Sequence, residues 1–382
     1  MARKEVRFGV IGLGLMGREF ASAAARWCHL LEEGARPILA GVCSRSEGSR
    51  KWFLDNFPSI EIETADYREL LESRSIDAIY CAVPHNLHRQ FYIDAIEAGK
   101  HLMGEKPFGI DEEANGAILS AVNAHPKLFV RCASEFPFVP AVQRIGGMIE
   151  RAELGRIIEV EAGFLHSSDL NAEKPINWKR MIEFNGEYGC MGDLGMHVCH
   201  LPFRAGWVPK NVRALLSNIV RERPDGKGGR VACETWDNAT LLCETIDPAT
   251  GEPFPMTLKT QRIAPGEKNT WYLSILGTQR SVRFSTKNIN SLQLLDARLG
   301  DQSWQTIDMG QETAFKSITG GIFEFGFSDA MLQMWAAYLY EIENGTPKSP
   351  FAGCATPAET ALSHRLFTAA LESQATGQTV KL

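Results

Sequence analysis

The stretch VRFGVIGLGLMGREFASAAARW, Val6 to Trp27, decides the fold. Val6 to Ile11 is apolar and β-branched, long enough for one buried parallel strand. Gly12, Gly14 and Gly17 follow at the spacing G-x-G-x-x-G, and an alanine-rich helical stretch comes next. In such a loop the first glycine makes the tight turn. The second lets backbone approach a pyrophosphate, and the third lets helix pack closely on strand. The helix-start amides then face a phosphate with the favourable end of the dipole. A tight strand–helix turn without a ligand uses the same residue type, so context matters. That context is a second short buried run, Ile38 to Cys43, beyond the helix. Gly12, Leu13, Gly14, Met16 and Gly17 are the cofactor-binding candidates of this loop.

At 382 residues the chain can hold two domains and a sizeable core. With 23% charged residues, a net charge of -6 and no basic run, it offers no surface for nucleic acid or anionic membranes. No apolar stretch approaches membrane-spanning length. Arg3 and Lys4 precede an apolar run, but that run is short and broken by glycines, so no secretory leader is expected. The nine cysteines include no C-x-x-C pair, which suits reduced thiols in a cytoplasm.

The second run ends at Ser44-Arg45-Ser46, where NAD-specific folds of this type place an acidic residue on the ribose. A guanidinium there suits a 2′-phosphate and favours NADP. Arg45 stacked on adenine would serve either cofactor. Ser49 to Phe57 and Asp66 to Leu71 read as helices, and Asp77 to Val83 as a strand stopped by Pro84. Pro84-His85-Asn86-Leu87-His88 then leads into a helix running through Ile96, which places Pro84, His85 and His88 in a loop at the carboxyl end of the sheet. Ligands bind at such loops, although His88 could equally be a capping or buried histidine. Lys100 to Gly104 gives a further strand, ended by Glu105-Lys106-Pro107. A charged pair at that point is either a surface pair of little worth or a placed functional lysine.

Two prolines between Cys132 and Pro140 mark a boundary, giving domains 1–134 and 135–382. A helix with Ile145, Met148 and Ile149 on one face runs to Gly155. Strand-like runs then follow one another: Arg156 to His166, Val212 to Val220, Ala239 to Ile246, Pro255 to Arg262, Trp271 to Leu276 and Ser281 to Phe284. Strands in succession predict a predominantly antiparallel sheet. The fold class is α/β: an N-terminal Rossmann doubly wound parallel sheet plus a C-terminal α+β domain with a predominantly antiparallel sheet. Asp247 to Glu252 reads as a hairpin turn, Arg221 to Arg230 as an exposed loop, and Ser328 to Glu343 and Thr356 to Gln374 as closing helices.

The chemistry concentrates in Gly189-Cys190-Met191-Gly192-Asp193-Leu194-Gly195-Met196-His197. Four residues apart, Asp193 and His197 share one helix face. Alcohol oxidation needs a base for the hydroxyl proton, and histidine titrates in the right range. Asp193 can grip a neighbouring hydroxyl or hold the histidine tautomer. Lys106 can stabilise alkoxide charge on the reacting oxygen. A capped helix start with a structural histidine is the alternative. His197, Cys199 and His200 lack the further convergent ligands a zinc site needs, so no metal is expected. His166, Trp178, Lys179, Arg180, Trp236 and Asp237 are candidates for contacting a polyhydroxylated ring.

GLGLMG, PHNLH, EKP and GDLGMH occur in this order across nearly the whole chain. Together they resemble the glucose–fructose oxidoreductase/inositol dehydrogenase/MocA family, and within it the sugar and cyclitol dehydrogenases of the inositol and levoglucosan dehydrogenase type. The resemblance implies an NAD(P)-dependent oxidoreductase acting on a ring hydroxyl or ketone of a sugar, glycoside or cyclitol. It implies that Lys106, Asp193 and His197 are catalytic, and that Glu105, Lys106, Pro84, His85 and His88 lie at the cofactor. It implies substrate contacts from Lys106, Trp178, Lys179, Asp193 and His197, and a homodimer or homotetramer formed through the second sheet. His85 replaces a more usual asparagine. Ser134-Glu135-Phe136-Pro137-Phe138 lacks the arginine that relatives often carry there. A redox-assisted glycosidase with tightly held NAD and a non-catalytic cofactor sensor are the competing readings.

Overall fold

The computed structural model describes residues 4–32, 34–310 and 313–382, so Arg3 of the basic pair lies outside it. The chain divides into two compact units. The first comprises Met1–Gly109, Glu113–Phe138 and Gly310–Ala358, and the second Ile110–Glu112, Val139–Met309 and Glu359–Leu382.

Among the described residues the first unit contains a six-stranded sheet: β1 (Glu5–Ile11), β2 (Arg36–Cys43), β3 (Ile62–Thr64), β4 (Ala78–Cys81), β5 (His101–Gly104) and β6 (Val130–Cys132). Its order is β3-β2-β1-β4-β5-β6 and every neighbouring pair is parallel. This is the doubly wound order expected behind a G-x-G-x-x-G turn. Helices α1 (Leu15–Ala25), α2 (Glu47–Asn56), α3 (Arg68–Glu72), α4 (His88–Glu97) and α5 (Glu112–Ala124) connect the strands. All four residues of β4 are buried, as covering a parallel sheet on both faces demands.

The second unit begins with α6 (Pro140–Glu150), β7 (Ile157–Leu165), α7 (Ile182–Asn185) and α8 (Cys190–Arg204). The helix expected to reach Gly155 stops at Glu150, because the chain turns through positive φ at Ala152 and Gly155. Strands β8 (Pro209–Ser217), β9 (Glu222–Pro224), β10 (Arg230–Ala232), β11 (Asn238–Ile246), β12 (Pro253–Gln261), β13 (Thr270–Gly277), β14 (Arg280–Ser285), β15 (Ser291–Asp296), β16 (Gln305–Asp308) and β17 (Val380–Lys381) follow. Nine of these strands form one sheet in the order β16-β15-β14-β13-β7-β12-β11-β8-β17. Its pairs are antiparallel except β7 with β12. Helix α8 packs on β7, β11 and β12, and the strands alternate buried and exposed positions, as in β11. The stretch from Arg221 to Arg230 is mostly exposed, as expected, and forms the turn and much of the β9–β10 hairpin. Arg223 is buried there, because its guanidinium donates to the carbonyls of Asp169 (2.6 Å) and Asn171 (2.7 Å).

The two closing helices part company. Helix α10 (Pro357–Thr376) lies mostly in the second unit, whereas α9 (Phe327–Asn344) belongs to the first. The reason is aromatic packing. Trp335 of α9 meets Phe20 at 3.9 Å, Tyr80 at 4.9 Å and Phe8 at 5.7 Å between ring centroids, all four side chains being buried. Rings of this size bury large apolar areas and add edge-to-face attraction. Trp335→Ala is therefore expected to destabilise the first unit by about 3–5 kcal/mol, measured by urea denaturation. A loss below about 1 kcal/mol would mean that α9 is not part of that core.

Candidate functional site

In the first unit the glycine loop separates two kinds of crowding. A Cβ on Gly12, whose φ is +92°, would lie 2.2 Å from the Ala82 carbonyl oxygen, and one on Gly17 would lie 2.5 Å from that of Gly12. These glycines are required by the fold. Gly14 has nothing within 4 Å, so the protein alone would tolerate a side chain there. It occupies the N-cap of α1, and no acidic residue stands in the first turn. An uncrowded glycine beside open helix-start amides fits a dinucleotide pyrophosphate. Leu13 is buried and Met16 partly buried, so each borders the loop while its side chain serves the core.

At the end of β2, Ser44 accepts from the Ser46 amide through its hydroxyl (3.2 Å) and from Arg50 through its carbonyl (2.5 Å). Arg45 is exposed. Beyond β4, His85 is buried and His88 wholly so. His88 accepts from the Gly109 amide at Nδ1 (3.4 Å), which leaves Nε2 to donate to the Val83 carbonyl (3.1 Å). The histidine thus braces the loop after β4 against the segment following Lys106-Pro107, a bond that is cis. Glu105 is buried and accepts from Tyr80 Oη (2.8 Å), while its carbonyl accepts from Tyr92 Oη (2.8 Å). A second carboxyl stands close by. Burial pushes Glu135 up to about 7, with Glu105 adding to the push and Lys106 opposing it. The sequence marked this segment only by a missing arginine; Phe136, Pro137 and Phe138 pack into the core around the new acid.

In the second unit Asp193 lies in the first turn of α8 and is buried. Lys179 Nζ donates to both of its oxygens, at 3.0 and 3.1 Å, and Arg262 donates to Oδ2. Lys179 is set in place by a short 3₁₀ turn, Trp178–Arg180, capped by Asn177, and its ammonium lies 5.6 Å from the Trp178 ring. His197, one turn along α8, is largely buried; its ring meets Phe164 edge-on at 5.5 Å, and its carbonyl accepts from Trp271 Nε1 (2.9 Å). The His166 ring packs on the same Phe164 at 4.6 Å. Lys179, Asp193, Trp178, His197 and His166 thus fall into two linked groups within one unit.

Arg180 and Asp237 are turned inward. They pair with each other, both fully buried, and Asp237 also caps the Ile219 and Val220 amides. Trp236 offers its backbone to Cys190 (3.1 Å) and packs against Gly189. Arg262 and Asp169 were missed, since a strand-terminal arginine and a loop aspartate carry no motif. His200 turns to Arg204 (3.2 Å), and burial pushes its pKa down to about 3. Among the described residues no group of three or more His, Cys, Asp or Glu could hold a metal ion.

Two outcomes follow from the first unit. Gly14→Ala should change stability by under about 1 kcal/mol while weakening NADH binding at least about tenfold, read by thermal melting and cofactor fluorescence. Unaltered affinity would remove the phosphate from this loop. Because the Glu135 pKa is raised in the folded state, the native protein holds that proton more tightly than the unfolded chain. Its contribution is complete at low pH and is lost as pH rises from about 4.5 to about 7. Relative to the unmodified protein, Glu135→Gln should gain about 2–3 kcal/mol between about pH 5 and about pH 8, measured from urea midpoints. Parallel profiles would contradict the assignment.

Residues 6–131 match the family described as "Oxidoreductase family, NAD-binding Rossmann fold". Levoglucosan dehydrogenase of Pseudarthrobacter phenanthrenivorans is 26% identical over 310 residues, 76% of each chain. Glucose-6-phosphate 3-dehydrogenase of Bacillus subtilis is 25% identical over 295 residues, 76% of this chain and 77% of the relative. A solved structure of levoglucosan dehydrogenase with NADH and L-sorbose superposes with a TM-score of 0.87 over 99% of both chains, at 23% identity. The glycine loop and the six parallel strands agree with this match: residues 6–131 form a Rossmann domain of the NAD-binding oxidoreductase family, and the chain as a whole is similar to sugar dehydrogenases.

Proposed function

We propose that this protein is an NAD(P)-dependent dehydrogenase that interconverts a ring hydroxyl and the corresponding ketone of a sugar, glycoside or cyclitol. The observation that carries the reading is the Asp193–His197 pair, one turn apart on a buried helix, with the Lys179 ammonium seated on Asp193. The names of two relatives, levoglucosan dehydrogenase and glucose-6-phosphate 3-dehydrogenase, support a sugar.

When bound at the Gly12–Gly17 loop, the nicotinamide cofactor supplies the hydride acceptor. His197 takes the hydroxyl proton and returns it in the reverse direction, since imidazole titrates near working pH. Lys106 donates a hydrogen bond to the same oxygen and stabilises the charge that develops as the proton leaves. Asp193 and Lys179 hold neighbouring hydroxyls, with Trp178 and His166 as flanking rings. Exposed Arg45, with no acid at the end of β2, supports NADP over NAD. His85 and His88 shape the loop beside the nicotinamide ribose.

The same reading expects a homodimer or homotetramer in a cytoplasm. Ile158, Leu215 and Leu242 are exposed apolar residues on the sheet of the second unit. A recess of about 790 Å³ lined by Glu161, Lys259, Tyr272 and Arg283 lies on that sheet, and its lining includes none of Lys179, Asp193 or His197. This surface suits a second copy better than a substrate.

The test is a screen of sugars and cyclitols with NAD and NADP in parallel, followed by nicotinamide absorbance. His197→Ala should lower kcat about 10²–10⁴-fold with cofactor affinity unchanged. An intact rate in that variant, or tight cofactor binding with no turnover of any polyol, would overturn the proposal.

A further inference from the structure

Behind Asp193 the second unit buries a row of alternating charges. Lys179 pairs with Asp193, and Asp193 with Arg262. The other arm of Arg262 lies 3.6 Å from Asp169 Oδ2, which also faces Arg180 Nε at 3.2 Å, and Arg180 ends on Asp237. Asp193, Arg262, Asp169, Arg180 and Asp237 have side chains at most 4% exposed, whereas Lys179 is 35% exposed. Lys174, 3.7 Å from Asp169, and Arg223, which donates to the Asp169 carbonyl, flank the row.

Three cations alternate with three carboxylates along this row, so it carries no formal net charge. Only that balance makes such a row tolerable away from water. Arg262 is its pivot. From just beyond β12, one guanidinium reaches two carboxylates on different segments: Asp193 at the start of α8 and Asp169 in the loop after β7. A planar fork spans two such partners, whereas a lysine ammonium is a single point.

We propose that Arg262 is a positioning residue for the dehydrogenase: it fixes the Asp193 carboxylate, which in turn fixes the Lys179 ammonium that meets the substrate. The inference rests on the proposed function for what Lys179 touches, but the coupling of Arg262 to Lys179 stands apart from it. Taking away the Arg262 charge loosens the orientation of the Asp193 carboxylate but removes a cation that competes with Lys179 for it, so the Lys179 ammonium gives up its proton at higher pH.

Lys179 reactivity reads this without any substrate. Reductive methylation of the full-length protein across a pH series, followed by peptide mass spectrometry, gives the midpoint at which Lys179 becomes reactive. Arg262→Met should raise that midpoint, and Arg262→Lys, which keeps the charge, should leave it where the unmodified protein has it. With a sugar substrate in hand, Arg262→Lys should still lower kcat/KM for the sugar about tenfold, with KM for the nicotinamide cofactor unchanged. An unshifted Lys179 midpoint in folded Arg262→Met overturns the proposal. Should that variant not fold, an undiminished sugar kcat/KM in Arg262→Lys overturns it instead. A shifted midpoint in a protein that oxidises no polyol upholds the coupling and removes the proposed function.

Discussion

Burying Asp193 in the first turn of α8 obliges the second unit to bring cations to it, and much of the surrounding structure answers that demand. An unpaired carboxylate away from water costs several kcal/mol. Here the 3₁₀ turn after Asn177 delivers Lys179 and the chain leaving β12 delivers Arg262. Arg262 in turn requires Asp169, which requires Arg180, which requires Asp237. The partly exposed Lys179 is therefore held through Asp193 by charges buried behind it. Such a row is not needed for stability as such, since apolar replacements of buried ion pairs are often no less stable.

The first unit solves a different problem by exclusion. Gly12 and Gly17 are pressed against carbonyl oxygens of the protein itself, and this brings the start of α1 close to the tip of β1. Gly14 is left open between them. Two glycines are needed by the fold, while the third leaves the helix start uncrowded. The unit is completed by α9, whose Trp335 and Tyr338 close over Phe8, Phe20 and Tyr80. A segment more than three hundred residues downstream thereby stabilises the strand that carries the loop.

The opening of the protein was legible because local rules suffice there. A buried parallel strand, a glycine turn and a helix follow from residue types within twenty-odd positions. The succession of the main later strands along the chain and the hairpin from Asp247 to Glu252 could be read from alternation and turn residues, but not their order in the sheet. Strands β3 and β16 could not, being short or polar along their length, nor could β15, where adjacent Leu294 and Leu295 break the alternation. Nor could the return of α9 to the first unit, because an amphipathic helix does not name the surface it will cover.

For the site, sequence by itself singled out the glycine loop, Lys106, and Asp193 with His197 one turn apart, all of them short-range patterns. Tertiary structure alone decided which charges share a burial. It turned Arg180 and Asp237 from candidate ligands into braces, gave His88 two backbone partners, and raised Glu135 beside Lys106. It also brought Arg262 and Asp169, from a strand end and a loop nearly a hundred residues apart, onto one another and onto Asp193. The physical reason is range. Helix spacing and turn chemistry act over a few residues and are written in order along the chain. Desolvation and ion pairing act between neighbours in space, and only the folded chain says which residues those are.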